Sequence, residues 1–182
     1  MNPGTLAHTD AARAPAWLLD CGAGVRVAIA VPSLLHLIED CSLLQRVPLV
    51  PKHLGQVLLW QQRVFPVVDL TLQMGVHQPV TDQPAAHRYI CLLGWCDAQQ
   101  CSDYGGVLVR ELPRRIQIAD QSLATPTQKL AAHWAGLALT YFDFHGHVIP
   151  IIAPAALFEP PASTERAAAS APAQQHKDPR RA

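Results

Sequence analysis

Cys91, Cys96 and Cys101 recur every five residues, and His145 and His147 flank Gly146. Thiolates and imidazoles are the ligands of a soft metal or the working parts of a redox centre. The spacing argues against both. Zinc knuckles pair cysteines about two to four residues apart, and a strand puts positions 145 and 147 on one face only where it runs regularly. Core thiols and surface histidines are therefore the expected state. His36, Asp40 and the five cysteines offer the residue types of nucleophilic catalysis, yet no Gly-x-Ser-x-Gly elbow and no Cys-His signature surrounds them. Asp69 lacks the following Thr-Gly of an aspartic protease. It stands where it can cap a helical turn by accepting orphan amide protons. Gly22-Ala23-Gly24 falls inside a hairpin rather than between a strand and a helix, so it is no phosphate cradle. The reading yields no catalytic residue, no cofactor site and no metal site.

Composition narrows the classes further. Fourteen basic residues balance fourteen acidic ones, which leaves no net field to gather phosphates or to hold the chain on an anionic membrane. A single-stranded nucleic-acid barrel needs basic and aromatic residues interleaved on one face, and only 6% of this chain is aromatic. Charged residues are 15% of the chain and apolar ones 49%, so part of the surface must itself be apolar, the usual mark of a protein contact. The longest apolar runs fall far short of the roughly 20 residues that span a bilayer. Met1–Asp10 lacks the basic-then-apolar order of a signal peptide, and a cytoplasmic location with reduced cysteines is expected.

Stepping along the chain, 1–15 and 159–182 are polar or Ala/Pro-rich ends expected to be disordered, bracketing one folded unit over 16–158. Ala16–Cys21 and Val25–Ala30 flank the glycine pair of a tight reversal. Pro32–Ile38 carries Leu34, Leu35 and Ile38 at helical spacing, which predicts a short helix. Val47-Pro48-Leu49-Val50-Pro51 is an extended connector. Val57–Trp60 and Arg63–Val68 form a hairpin around Gln61-Gln62, followed by a helical turn, Leu70–Met74, closed by Gly75. Gln78–Ala86 reads as a linker. Strands are expected at Arg88–Leu93, Gly105–Arg110, Arg114–Ala119, Leu137–Phe142 and His147–Ile152, with an irregular stretch at Asp120–Lys129 and a last helical turn at Ala155–Phe158. Short strands punctuated by turns are the pattern of small barrels or sandwiches.

One internal echo organises these pieces. Arg63-Val64-Phe65-Pro66-Val67-Val68 recurs in kind as His147-Val148-Ile149-Pro150-Ile151-Ile152, the prolines lying 84 positions apart (150 minus 66). Two related lobes give such a pattern. A proline within a β-run further predicts an edge strand or a bulge, because the ring removes a ladder donor.

These residues resemble the CheW-like domain family of chemosensory coupling proteins. The resemblance rests on Val47-Pro48-Leu49-Val50-Pro51, on Gly55-Gln56-Val57-Leu58-Leu59-Trp60, and on Val64-Phe65-Pro66-Val67-Val68-Asp69-Leu70 ending at Gly75. It continues more loosely through Tyr89–Leu93, Gly106-Val107-Leu108-Val109 and His145-Gly146-His147-Val148-Ile149-Pro150, covering about Ala16 to Phe158. It implies a mainly β fold of two small five-stranded barrels sharing a hydrophobic core, with short helices and no catalytic residues. It further implies an adaptor that bridges a chemoreceptor's cytoplasmic tip to the regulatory domain of a CheA-type histidine kinase, and that meets other CheW-like domains. The family turn Asn-Leu-Arg-Gly is here Leu59-Trp60-Gln61-Gln62, so a planar cationic fork is replaced by Gln61. Arg110 likewise stands where the family tends to carry an aspartate. Such a departure suits a divergent member serving a specialised system such as type IV pilus-linked chemosensing. Val57, Leu58, Leu59, Trp60, Gln61, Gln62 and Arg63 are the candidate protein-interface residues.

The competing reading is a small metal-binding or redox β-protein that uses Cys91/Cys96/Cys101 and the histidines. Elemental analysis of the purified protein separates the two: the adaptor is expected to carry substoichiometric zinc and iron, whereas one metal per chain would favour the competitor.

Overall fold

The computed structural model describes residues 12–76, 89–96 and 102–158. The expected linker, Cys101, Arg88 and most of both polar ends lie outside these residues.

Eleven strands and three short helices are found among the described residues. In chain order they are β1 (Arg13–Gly22), β2 (Val25–Ala30), β3 (Leu34–Ile38), β4 (Leu44–Arg46), β5 (Gln56–Trp60), β6 (Arg63–Val68), α1 (Leu70–Gln73), β7 (Tyr89–Cys96), β8 (Ser102–Val109), β9 (Arg114–Ala119), α2 (Gln128–His133), β10 (Ala138–Phe144), β11 (His147–Ile152) and α3 (Pro154–Phe158). They form two small curled sheets, each a half-barrel, in the orders β10-β11-β2-β1-β9 and β3-β7-β8-β6-β5-β4. The expected two-barrel fold is thus present, with one sheet of five strands and one of six.

Alternation along the strands builds three apolar layers, because successive side chains point to opposite faces. Ile90 and Leu92 of β7 fill the six-stranded barrel with Leu58, Phe65, Val67 and Leu108. Ala16 and Leu18 of β1 fill the five-stranded one with Ala28, Phe142 and Ile149. The intervening positions of the same strands, Cys91 and Leu93, Leu19 and Cys21, meet between the barrels with Val27, Val68, Val107 and Ile152. Thr71 is the one buried polar residue among those described. The barrels are also stitched by backbone, the Arg110 amide donating to the Asp20 carbonyl at 2.8 Å.

The echo proves to be a repeat of the whole second half of each lobe. Gln61 and Gln62 sit in the left-handed region at φ 49° and 62°, and 84 positions later His145 and Gly146 do so at 53° and 79°. Leu58 pairs with Phe65 as Phe142 pairs with Ile149. β6 runs parallel to β8 from Val67 opposite Gly106, and β11 runs parallel to β2 at Ile151 opposite Ala28. α1 and α3 then follow at Leu70 and Pro154. Upstream, 3-10 turns at Cys41–Leu43 and Asp120–Ser122 precede Leu44 and Leu123, which bridge to Leu58 and Phe142 respectively. Each repeat opens with a hairpin, β1–β2 or β7–β8, and that hairpin is built into the other repeat's sheet. The lobes are therefore interlocked rather than consecutive.

Four expectations are corrected. Pro32–Ile38 is a 3-10 turn, Val31–Ser33, followed by strand β3; the spacing of 34 and 38 suits a helix or a regular strand, pairing with β7 decides for the strand, and an irregularity between Leu34 and His36 sends Leu34 to the shared layer and Ile38 into the six-stranded barrel. β6 and β11 are interior strands, not edges. Each proline is paired in an antiparallel ladder, with Val57 or Tyr141, but stands one residue before the short parallel ladder on the strand's other side begins, where no partner asks for the missing donor. Asp120–Lys129 holds a 3-10 turn and the start of α2, whose signal was Thr127: its Oγ1 caps the helix by accepting the Leu130 amide at 3.3 Å, and Gly136 closes it at φ 78°. Arg13–Pro15 belong to β1, paired with β9; Pro15 precedes the β1–β2 ladder, which begins at Ala16.

Burial in the shared core pushes the Cys91 thiol from an ordinary 9.0 up to about 12, and Cys21 upward by burial and then by the neighbouring Cys91. A raised thiol pKa favours the protonated native state, so the contribution is complete below pH 9 and is lost as pH rises from 9 toward 12. For Cys91 the three-unit difference corresponds to about 4 kcal/mol, at about 1.4 kcal/mol per pH unit. Urea unfolding between pH 8 and 11 is expected to show stability falling more steeply for the wild type than for Cys91→Ala.

Candidate docking surface

The β5–β6 hairpin carries the sequence-selected residues, and its two-residue turn fixes where each points. Both turn residues adopt positive φ, the geometry whose twist matches the flanking strands and which glycine or asparagine usually supplies. Here two glutamines hold it and both are exposed. Alternation then separates the candidates. Leu58 is fully buried in the barrel interior, so its side chain is removed from the surface set. Val57 and Leu59 face outward with Val64 and Pro66 of β6, Leu59 lying directly opposite Val64. Leu59 is 46% exposed and Val64 64%, forming an apolar outer face on the hairpin.

Trp60 is half-buried. Its ring lies 4.8 Å from His36 and 6.4 Å from Phe65, packed against the barrel core, so it belongs to the rim of the surface. Arg63 is exposed, its guanidinium carbon 5.7 Å from the centre of Phe65 and 5.3 Å from that of Tyr104. Those two rings meet edge-on at 6.3 Å. Cation–ring contacts of this kind are worth about 0.5–1 kcal/mol when exposed, enough to bias the guanidinium toward the rings while it stays open to solvent. Arg63 thus supplies a positive charge at the mouth of the barrel, two positions after Gln61.

Beside the hairpin is a groove of about 420 Å³ lined by Arg63, Val64, Pro66, Trp95, Tyr104 and Phe158, among others. It exists because β6 and β8 pair only from Val67 and Gly106 onward, leaving their first halves apart. Trp95 and Phe158 stack at 4.9 Å with their planes 6° apart. Gly105 makes this possible, since a β-carbon there would come within 2.4 Å of the Phe158 ring.

A second groove, of about 450 Å³, is lined by Arg26, Met74, Trp134, His147, Val148 and Pro150, among others. It is the repeat's counterpart of the first: His147, Val148 and Pro150 stand 84 positions after Arg63, Val64 and Pro66, and Phe158 stands 84 after Met74. The sequence reading missed this groove, although the proline echo was its signal.

The chemical candidates do not converge. Cys91 is buried in the shared core while Cys96 is exposed, an odd separation that puts them on opposite faces of β7. Among the described residues no group of three or more histidine, cysteine, aspartate or glutamate side chains is placed to hold a metal. Asp69 caps α1, accepting from the Thr71 and Leu72 amides at 2.9 and 3.3 Å and from the Thr71 hydroxyl at 2.6 Å. What the arrangement offers is apolar contact, two grooves and a cation.

Replacing Gln62 by glycine removes a β-carbon from a left-handed position and is expected to raise stability by about 0.5–1 kcal/mol, read as a higher melting temperature with an unchanged circular dichroism spectrum.

A search of curated protein sequences finds no match to this chain. Among solved structures it is similar to the scaffolding protein TtCheW from Thermoanaerobacter tengcongensis, at 15% identity and a TM-score of 0.61, over 86% of this chain and 94% of that one. At that identity the likeness speaks for the fold. The family model for the CheW-like domain matches residues 23–162, a span that takes in both grooves and every strand but the first, and on that match the chain belongs to the CheW-like domain family.

Proposed function

We propose that this protein is a non-enzymatic chemosensory scaffold that couples receptors to a CheA-type histidine kinase. The observation that carries the reading is the pair of equivalent grooves on one interlocked core. A scaffold must hold two partners in fixed relation, and a duplicated fold whose two barrels share an apolar layer supplies two attachment points that cannot swing independently. Family membership supplies the partner classes: the regulatory domain of the kinase, the cytoplasmic tip of a chemoreceptor, and other CheW-like domains. The work is done by association, through apolar contact and hydrogen bonding.

The glutamine turn favours a specialised partner set. Arg63 reaches outward over two rings, so a partner adapted to this chain meets its cation two positions later than Gln61, and the output is proposed to run through a type IV pilus-linked pathway. No helix among the described residues is long and apolar enough to cross a membrane; the proposal places the protein in the cytoplasm, recruited to inner-membrane arrays by its receptors.

A pull-down with the tagged full chain against the receptors and CheA-type kinases of its own organism is expected to retain at least one of each. Capture of no chemosensory component at physiological salt would sink the proposal.

A further inference from the structure

The two grooves correspond residue for residue along β6 and β11, yet they differ by one wall. Over the second barrel stands α2, whose Leu130 and C-cap Trp134, four residues apart and so on one face, line the groove with Val148 and Pro150. Trp134 is 5% exposed and packs into the shared layer with Leu130 against it; on the same groove Pro150 is buried and Val148 half-buried. In the first barrel the matching Pro66 is exposed and Val64 is 64% exposed. The segment that occupies α2's place in the first repeat is five residues shorter, the repeat offset being 79 before it and 84 after (123 minus 44; 142 minus 58). It turns instead toward α1, where Val47, Pro48 and His53 line a separate pocket with Leu72. Among the described residues nothing stands over Val64 and Pro66 as α2 stands over their counterparts.

We propose that the bare face of the first barrel, Val57, Leu59, Val64 and Pro66, docks a short amphipathic helix of a partner protein, seated as α2 is seated on the second barrel. The required chemistry follows from the counterpart. The helix presents a leucine and an aromatic residue four positions apart, in the manner of a helix laid into an apolar groove. On α2 the side chain between them that lines the groove is His133, beside His147. On the first barrel the position of His147 is taken by Arg63, whose guanidinium lies over Phe65 and Tyr104 at the mouth of the groove that Val64 and Pro66 also line, so the docking helix carries a carboxylate at its edge there, complementary to that cation. The proposal rests on the adaptor reading and names the kind of segment that its partner brings to this face.

The probe is a fluorescein-labelled, lactam-stapled peptide of the Thr125–Gly136 sequence with His133→Glu, titrated into the full chain by fluorescence anisotropy. Saturable binding below about 1 mM is expected, weaker by roughly tenfold or more for protein carrying Val64→Asp. It should be abolished when the peptide carries Leu130→Ser and Trp134→Ser. Val64 is mostly exposed, so the variant is expected to fold; a circular dichroism melt checks this, and Leu59→Ser gives a second, milder variant of the same face. Absence of saturable binding, or binding that neither protein variant weakens, overturns the helix site. Peptide binding that behaves as expected while the pull-down captures no chemosensory component overturns the adaptor reading and leaves the site standing.

Discussion

The shared apolar layer between the barrels is the constraint on which everything else depends. Each sheet curls around its own small interior, and such an interior is too small to stabilise a lobe of this size alone. The second face of the same strands supplies the remainder: Leu19, Val27, Val68, Leu93, Val107 and Ile152 are each 2% exposed or less. Because the first hairpin of each repeat is built into the other repeat's sheet, neither sheet is complete until both repeats are present. The layer is also why Cys21 and Cys91 are chemically quiet, since a thiolate cannot be solvated there.

That rigidity decides what kind of function the fold can support. A close-packed apolar interior transmits position well. The chemistry-bearing residues end up dispersed: Asp69 spent on a helix cap, Cys91 in the core, His145 in a turn. What remains at the surface is apolar area where strands of different repeats meet only partway along their length, and the two grooves open at those partings. The low charge content of the chain is expressed at Leu59 and Val64.

Several features were legible in the residues because they depend on local chemistry. Gly22-Ala23-Gly24, the Asp69 cap and the Gly75 closure each follow from what one or two residues can do with their own backbone, whereas the Gln61-Gln62 turn was legible only as a two-residue gap between two strand patterns. The proline echo was legible as well, and it pointed to a duplication. Other features were not local. The spacing of Leu34 and Ile38 serves a helix and a strand equally, and only the edge of β7, more than fifty residues away, chose the strand. Pro66 and Pro150 read as edge residues because a proline forbids a ladder donor; their place inside the sheets depends on where a parallel ladder happens to begin. α2 was signalled by Thr127 and Gly136 but was masked by its short length and by the proline before it.

The sequence by itself determined the fold class and the duplication, because alternation, turn chemistry and composition are properties of neighbouring residues. The tertiary structure decided the exchange of hairpins between repeats, the burial of Leu58, the cradle that holds Arg63 over Phe65 and Tyr104, and the second groove. These arise where strands distant in the chain pair or part, and pairing between distant strands is set by the total burial that the whole chain achieves, which no single segment encodes.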